Sequence, residues 1–264
     1  EIEYSPYAVN KTIIVDHFFI SEFEVTNRQY RFFCEDTGPE NLPDTLVWKH
    51  ALAYNDPYIN NYFRSEEFDD YPVVGVSYRQ AREYCLWLNL KVEKLLSDYP
   101  KIKERLVLGT FSIPSKEEWE VAARGGNELA VFPSGFQLLY SEKRGYINYY
   151  GNYLITDNKQ KIFGLPKQEY NNTSPVGSFI PNGYGIYDMG GNVSEWTSTP
   201  VGFDPNNIQE AVVDLLSFDY YYKGGSWSDG QNFVKIDQSR QQNVDYRSRS
   251  LGFRIVMNLP YNDW

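Results

Sequence analysis

The sequence has few of the side chains that bind soft metals or act as nucleophiles. Its 264 residues include two Cys, two His and two Met. It contains neither a G-x-S-x-G nucleophile elbow nor a Walker-type G-x-x-x-x-G-K loop. Cys34 and Cys85 both fall in helix-like patterns, so we expect them to fill core space. Their positions in the sequence leave a disulfide between them open.

Positive charge is also scarce. The chain carries 35 acidic and 25 basic side chains, a formal net charge of −10 at pH 7. This balance argues against nucleic acid or an anionic membrane surface as the partner. No apolar run approaches the ~20 residues of a membrane span. Neither a linker nor a shift in composition divides the chain, so we predict a single domain over residues 1–264.

Aromatic residues are abundant, at 17% of the sequence with 23 Tyr. This content is common in exported, loop-rich proteins, and a purely aromatic core would account for it as well. The N-terminal Glu1 is not followed by a signal peptide, but a trimmed mature chain would look the same.

Helix boundaries are the clearest local signals. Ser or Thr stands before each of three segments in which apolar residues recur at helical spacing. Three helices are predicted, from Thr26 to Gly38, from the Ser77/Gln80 capping box into the Val92–Leu96 region, and from the Ser115/Glu118 capping box to Gly125.

Strand patterns are shorter and weaker. We predict a strand pair in residues 12–25 and single strands in residues 71–77, Tyr222–Ser228 and Leu251–Met257. Residues 39–71 are expected to form a long ordered loop that aromatic side chains anchor: Trp48, Tyr54, Tyr58, Tyr62 and Phe63. Short helices followed by turns and strands indicate an α+β domain with much irregular structure.

The stretch Gly183–Trp196 (GYGIYDMGGNVSEW) is the strongest candidate for a site. Its four glycines permit unusual backbone geometry, so Asp188 and Glu195 are expected on a tightly folded loop. Carboxylates and carbonyls that converge on a turn suit a hard cation such as Ca²⁺. A rigid turn whose acids accept hydrogen bonds from backbone N–H groups is the alternative.

Six stretches, in this order along the chain, resemble the formylglycine-generating enzyme (sulfatase-modifying factor) family. They are EVTNRQYRFF (24–33), YPVVGVSYRQAREYCLWL (71–88), IPSKEEWEVAARGG (113–126), SPVGSFIPNGYGIYDMGGNVSEWTS (174–198), GGSW (224–227) and LGFRIVM (251–257). The resemblance implies a compact, loop-rich α+β fold related to C-type lectins. The segment PDTLVWKHALAYNDPYINNYF (43–63) is further similar to the gliding-motility and type IX secretion lipoproteins GldJ and GldK/PorK of Bacteroidetes.

The resemblance also locates the family's catalytic positions, where two Cys bind Cu(I) and oxidise a substrate cysteine with O₂. Asp229 and Val234 occupy these positions here. Neither is a thiol, so we expect no copper. A branch of the family holds iron with three His, and His17 and His50 are too few for that site. The family's disulfide is missing as well, because the two matching positions hold Cys85 and Ile255.

The resemblance also implies an ion site and a peptide groove. It implies that Ca²⁺ is bound by the side chains of Asp188 and Glu195 and by the carbonyls of Gly191 and Val193. A second family ion site would lie near Asn148–Tyr149, but the candidates for its later ligands, around Lys161 and Phe163, lack an acid in the right place. Basic and aromatic residues line the family's peptide groove, for which the candidates are Trp227, Arg240 and Arg249. Alternatively, Arg249 and Arg254 pair with buried acids or carbonyls, and we favour this interpretation.

Three functions are therefore considered. The first is a non-catalytic exported scaffold or protein-binding domain, periplasmic or outer-membrane-associated, with a protein partner in the cell envelope. Membrane contact would then come only through an N-terminal lipid anchor that this chain does not contain. The second is an oxidoreductase of altered chemistry with Asp229 in place of a thiol. The third is a glycan- or peptide-binding module that uses the many Tyr and Trp.

Overall fold

The computed structural model describes residues 15–49, 56–103, 108–133, 151–152, 172–202 and 218–260. Its helices are α1 (Asn27–Thr37), α2 (Asp56–Asn61), α3 (Tyr78–Asp98), α4 (Pro100–Lys103) and α5 (Lys116–Arg124). Its strands are β1 (Phe18–Ile20), β2 (Thr110–Ser112), β3 (Ser194–Pro200), β4 (Asp219–Lys223), β5 (Arg240–Asn243), β6 (Leu251–Gly252) and β7 (Val256–Asn258). The predictions for His50, for Tyr54 and for the second ion site around Asn148, Tyr149, Lys161 and Phe163 lie outside the described residues.

The three longer helices begin where the sequence predicts. The N-cap hydroxyls of Thr26, Ser77 and Ser115 each accept a hydrogen bond from the backbone N–H three residues on, and each helix start forms a complete capping box. Gly125 ends α5 in the left-handed conformation. None of the helices in the described ranges is long and apolar enough to cross a bilayer.

Two separate sheets organise the strands. In one, β7 lies between β1 and β2 and is antiparallel to both. In the other, the order is β5-β4-β3-β6, with β3 and β6 parallel and the remaining pairs antiparallel. Mixed helix and sheet with short strands confirms the predicted α+β class. Whether the whole chain is one domain stays a prediction.

Several strand predictions are wrong. Residues 12–25 do not form a strand pair in their described part, because β1 pairs with β7 from the far end of the chain. Residues 71–77 are buried but extended, with only one β-bridge, between Thr26 and Pro72. Strand β4 ends at Lys223, because Gly224 and Gly225 both adopt positive φ and turn the chain.

The largest core cluster packs α1 and α3 against the four-stranded sheet. It holds Tyr30 and Phe33 of α1, Tyr84 of α3, Trp196 of β3 and Phe253. Cys34 and Cys85 belong to the same cluster as free buried thiols, which confirms their space-filling role. A second cluster, around Trp48 and Tyr62, anchors the 39–71 segment, whose described part consists of short helical turns and α2.

Candidate functional site

The turn before β3 is built on an unusual backbone. Asp188 and Asn192 have φ values of 57° and 54°, although neither is glycine. Gly191 has φ 96°, and a Cβ there would lie 2.6 Å from the carbonyl oxygen of Asn152. The chain therefore needs glycine at position 191 both for its backbone angle and for close approach to a neighbouring segment.

Glu195 is not on this turn, contrary to the prediction, because it is the second residue of β3. Its carboxylate is fully buried and accepts three hydrogen bonds. Arg254 Nη2 donates to Oε1 at 2.7 Å and Arg254 Nε donates to Oε2 at 2.7 Å. Trp119 Nε1 also donates to Oε2, at 2.7 Å. Both carboxylate oxygens of Glu195 are therefore engaged within the protein.

Arg254 confirms the interpretation that it pairs with a buried acid. Its side chain is fully buried, and it also donates to the carbonyls of Ser21 at 3.1 Å and Tyr187 at 2.9 Å. Burial alone would lower the pKa of Arg254, but the charge and hydrogen bonds of Glu195 raise it above its usual value. The pair thus ties β3 to the chain between β6 and β7 and to the turn at Tyr187.

One further residue of this region was missed from the sequence. Glu24 is only 1% exposed, and its carboxylate accepts from Asn192 Nδ2 at 2.9 Å and from the Val193 N–H at 3.2 Å. Burial, together with the negative charges of Asp188 and Glu195, raises the pKa of Glu24 well above its usual value. The available signal was an acid between Phe23 and Val25, in a segment otherwise suited to the core.

Asp188 has one feature expected of a rigid turn and one expected of a cation site. Its Oδ2 accepts a hydrogen bond from the Gly177 N–H at 2.7 Å, as the rigid-turn alternative requires. Its Oδ1 is buried and has no hydrogen-bond partner. Burial raises the pKa of Asp188 to about 6. An unpartnered buried carboxylate oxygen is costly unless a proton or a cation reaches it.

The charge balance of the region fits a cation, but the predicted ligand set fits only in part. Three buried carboxyl groups, on Glu24, Asp188 and Glu195, accompany one buried guanidinium, on Arg254. Yet both oxygens of Glu195 already accept hydrogen bonds, and the described residues contain no group of three acid, His or Cys side chains placed to hold a metal. Asp188 Oδ1 is the free oxygen among the two predicted side-chain ligands.

The second region contains Asp229 and Val234, the positions at which the resemblance predicts the family's two thiols. Asp229 accepts hydrogen bonds at Oδ2 from the Ser226 hydroxyl and from Arg240 Nη2, both at 2.6 Å. Val234 is 1% exposed and forms an apolar cluster with Phe132. An ion pair and an aliphatic side chain therefore occupy these positions. Such groups offer no soft ligand for Cu(I).

The predicted groove residues of this region contact aromatic rings. The Arg240 guanidinium lies over the Phe233 ring, 4.7 Å from its centroid, and over the Tyr222 ring at 5.2 Å. Arg249 lies over the Trp227 ring at 5.2 Å, in a cation–π contact rather than the predicted pairing with a buried acid or carbonyl. The cavity beside Tyr222 and Arg240 measures only about 10 Å³, which is room for about one water.

The two cysteines are remote from these positions. Cys34 lies on α1 and Cys85 on α3, and burial raises the pKa of each thiol to about 12. A thiol with so high a pKa stays protonated near neutral pH and is a poor nucleophile and metal ligand. Neither residue therefore offers a thiolate in place of the pair that the resemblance predicts.

Comparison with known proteins identifies the family. Residues 3–259 match the sulfatase-modifying factor enzyme 1-like domain. The chain belongs to this family. The formylglycine-generating enzyme of Mus musculus is 26% identical to it over 96% of this chain and 69% of the relative. A Bos taurus protein called inactive C-alpha-formylglycine-generating enzyme 2 is 29% identical, over 93% of this chain and 79% of its own length.

Solved structures support the fold. The structure of PvdO from Pseudomonas aeruginosa superposes with a TM-score of 0.61 at 24% identity, and the match covers 92% of this chain and 80% of PvdO. At that identity the likeness concerns the fold alone. Together with the family match, it confirms the predicted formylglycine-generating-enzyme fold.

Proposed function

We propose that this chain is a non-catalytic member of the sulfatase-modifying factor family that acts by binding another protein. One observation carries the proposal: Asp229 and Arg240 form a hydrogen-bonded ion pair where the resemblance places a copper thiolate. The Asp229 carboxylate is 14% exposed and its oxygen is shared with Ser226, so it is not presented as a free reactive group. The similarity to a relative named as inactive is consistent with this proposal.

The proposed setting is the cell envelope. The 43–63 segment, which is similar to the gliding-motility and type IX secretion lipoproteins, contributes Trp48, Tyr58 and Tyr62 to a packed aromatic cluster. We therefore place the protein among exported scaffolds of such an apparatus, periplasmic or at the outer membrane. A net charge of −10 favours a protein partner over nucleic acid.

The alternative functions receive less support. An oxidoreductase of altered chemistry would need Asp229 free, whereas Arg240 and Ser226 hold it. A glycan-binding module would need a concave aromatic pocket near Trp227, whereas that side chain is 8% exposed and the neighbouring cavity is about 10 Å³.

Calcium remains part of the proposal. We infer that Ca²⁺ binds at the turn through Asp188 Oδ1 and the carbonyls of Gly191 and Val193, without a free oxygen from Glu195. The unpartnered oxygen of Asp188 and the excess of buried carboxylates support a cation at this place. The role of the ion would be structural, because it would neutralise buried carboxylates next to the start of β3.

Catalysis is tested by comparing the protein with the Asp229→Cys/Val234→Cys double variant. Each is loaded with Cu(I), and O₂ uptake is followed with a cysteine-containing peptide. We expect no tight Cu(I) binding and no peptide-dependent O₂ uptake by the unaltered chain, and we expect the double variant to gain Cu(I) affinity. Peptide-dependent O₂ uptake by the unaltered protein would show that it is an enzyme.

Protein binding is tested by photo-crosslinking in an envelope fraction of the source cells. A photoreactive phenylalanine replaces Phe233, which is 45% exposed beside Arg240, or Leu95, which is 57% exposed on α3, as the control. One defined crosslinked protein from position 233 and none from position 95 is expected. The same crosslinks from both positions would indicate that the Asp229 region is not the binding surface.

A further inference from the structure

Among the described residues, strand β1 is an edge strand with one free side. It pairs with β7 through His17, Phe19 and Ser21, since His17 O accepts from the Leu259 N–H and the Ser21 N–H donates to Ile255 O. In an antiparallel ladder, alternate residues direct their N–H and C=O groups to opposite sides. The backbone groups of Phe18 and Ile20 therefore point away from β7.

That free side opens on a cavity. The cavity measures about 710 Å³ and lies between β1, the Val121–Ala122 part of α5 and the turn Tyr184–Ile186. The Tyr187 N–H donates to Glu22 O at 3.0 Å, which places this turn on the outward side of the strand. Within the described ranges, no hydrogen-bond partner meets the N–H or C=O of Phe18 or Ile20.

The chemistry of the cavity wall favours one kind of occupant. Asp16 and Glu22 are both exposed there, and the described lining includes no Lys or Arg. The side chains of Phe19 and Tyr184 are 60% and 59% exposed and flank the opening. Exposed carboxylates beside aromatic rings attract Lys or Arg side chains through charge and cation–π contacts.

We propose that the outer edge of β1 receives an extended, basic segment of a partner protein, which adds a strand beside Phe18–Ile20. Main-chain hydrogen bonds would supply affinity, and Asp16 and Glu22 would select basic side chains. The strand spans three residues, so a short segment suffices. This surface is remote in sequence from the Asp229 region, and the proposal does not depend on the loss of catalysis.

The test titrates the full chain with two labelled seven-residue peptides that alternate Val with Lys or Val with Glu, and follows fluorescence anisotropy. The lysine peptide is expected to bind at least about tenfold more tightly than the glutamate peptide, and the affinity should fall as salt rises. Asp16→Asn/Glu22→Gln should remove most of that preference without affecting the fold, because both side chains are exposed.

A matched pair of variants isolates the backbone contact. Ile20→Pro removes the outward N–H but leaves the hydrogen bonds of Phe19 and Ser21 to β7, whereas Ile20→Val keeps the N–H. We expect Ile20→Pro to weaken lysine-peptide binding about tenfold and Ile20→Val to change it little. Circular dichroism confirms that both variants are folded.

Three results would overturn the proposal. They are equal affinity for the two peptides, equal binding by Ile20→Pro and Ile20→Val, and no binding of either peptide. If light scattering then shows a dimer that Ile20→Pro dissociates, the edge pairs with a second copy of this chain instead. None of these results bears on whether the Asp229 position is catalytic.

Discussion

Glu195 and Arg254 form a fully buried ion pair with two hydrogen bonds of 2.7 Å between their side chains. Their positions in the chain are 59 residues apart, and the pair joins the centre of one sheet to the connection between the two sheets. Trp119 adds a third hydrogen bond from α5. This pair engages the carboxylate that the resemblance assigns to calcium.

Breaking this pair should be costly. Arg254→Met leaves the Glu195 charge buried without a counterion, so we expect the free energy of unfolding to fall by about 3–5 kcal/mol. Urea denaturation measures the change. Asp245→Asn at the exposed Arg79–Asp245 pair, with an N–O distance of 2.9 Å, is the control and should cost less than about 1 kcal/mol. Equal effects of the two variants would contradict a structural role for the buried pair.

Calcium should stabilise the protein through Asp188. An ion that binds only the folded state at about one hundred times its dissociation constant adds about 2.7 kcal/mol, or several degrees of Tm for a chain of this size. Differential scanning calorimetry with Ca²⁺ or with a chelator measures it. Asp188→Asn should abolish the calcium response, whereas Asp229→Asn should keep it. If calcium leaves the Tm unchanged, the proposed calcium site is wrong.

The close approach at Gly191 should make it intolerant of any side chain. Gly191→Ala would place a Cβ 2.6 Å from a carbonyl oxygen at φ 96°. Gly202→Ala is the control, because Gly202 has φ 74° with nothing within 4 Å of the added Cβ. We expect Gly202→Ala to cost about 1 kcal/mol from backbone strain and Gly191→Ala at least about 2 kcal/mol more. Comparable unfolding midpoints would show that the turn is looser than described.

Stability should decline with alkaline pH because of the buried thiols. Burial raises the pKa of Cys85 from 9.0 to about 12. Between these values the folded state holds the proton that the unfolded state has lost, so stability is present below pH 9 and is lost as pH rises through this window. The slope is up to about 1.4 kcal/mol per pH unit for each such group. Unfolding free energies from pH 8 to 10 should fall less steeply for Cys85→Ala. If the slope is identical in the unaltered protein and in Cys85→Ala, groups other than Cys85 cause the loss of stability at alkaline pH.

Helices were predictable because their signals are local. Thr26, Ser77 and Ser115 cap helices through bonds to residues three positions away, so the pattern is visible in any short window. Strands β1 and β7 pair from opposite ends of the chain, and no local pattern contains that information. The same limit explains why β3 and β5 were not predicted.

The site was predictable only where its geometry is local. The glycines and Asp188 identified the turn, and the positions of Asp229 and Val234 followed from a resemblance over short motifs. Glu24 was missed because its partner Asn192 is 168 residues away. The free oxygen of Asp188 and the occupied oxygens of Glu195 depend on which distant donors arrive, so only coordinates distinguish these two acids.

The sequence by itself determined the family, the helix starts and the residue types at positions 229 and 234, because each is a matter of residue type at a short spacing. Tertiary structure alone decided which buried charges are neutralised: Arg254 reaches Glu195, Arg240 reaches Asp229, and Asp188 keeps one free oxygen. The physical reason is that a buried charge is balanced by whatever group lies within a few ångströms in space, and the chain brings those groups from far apart in sequence.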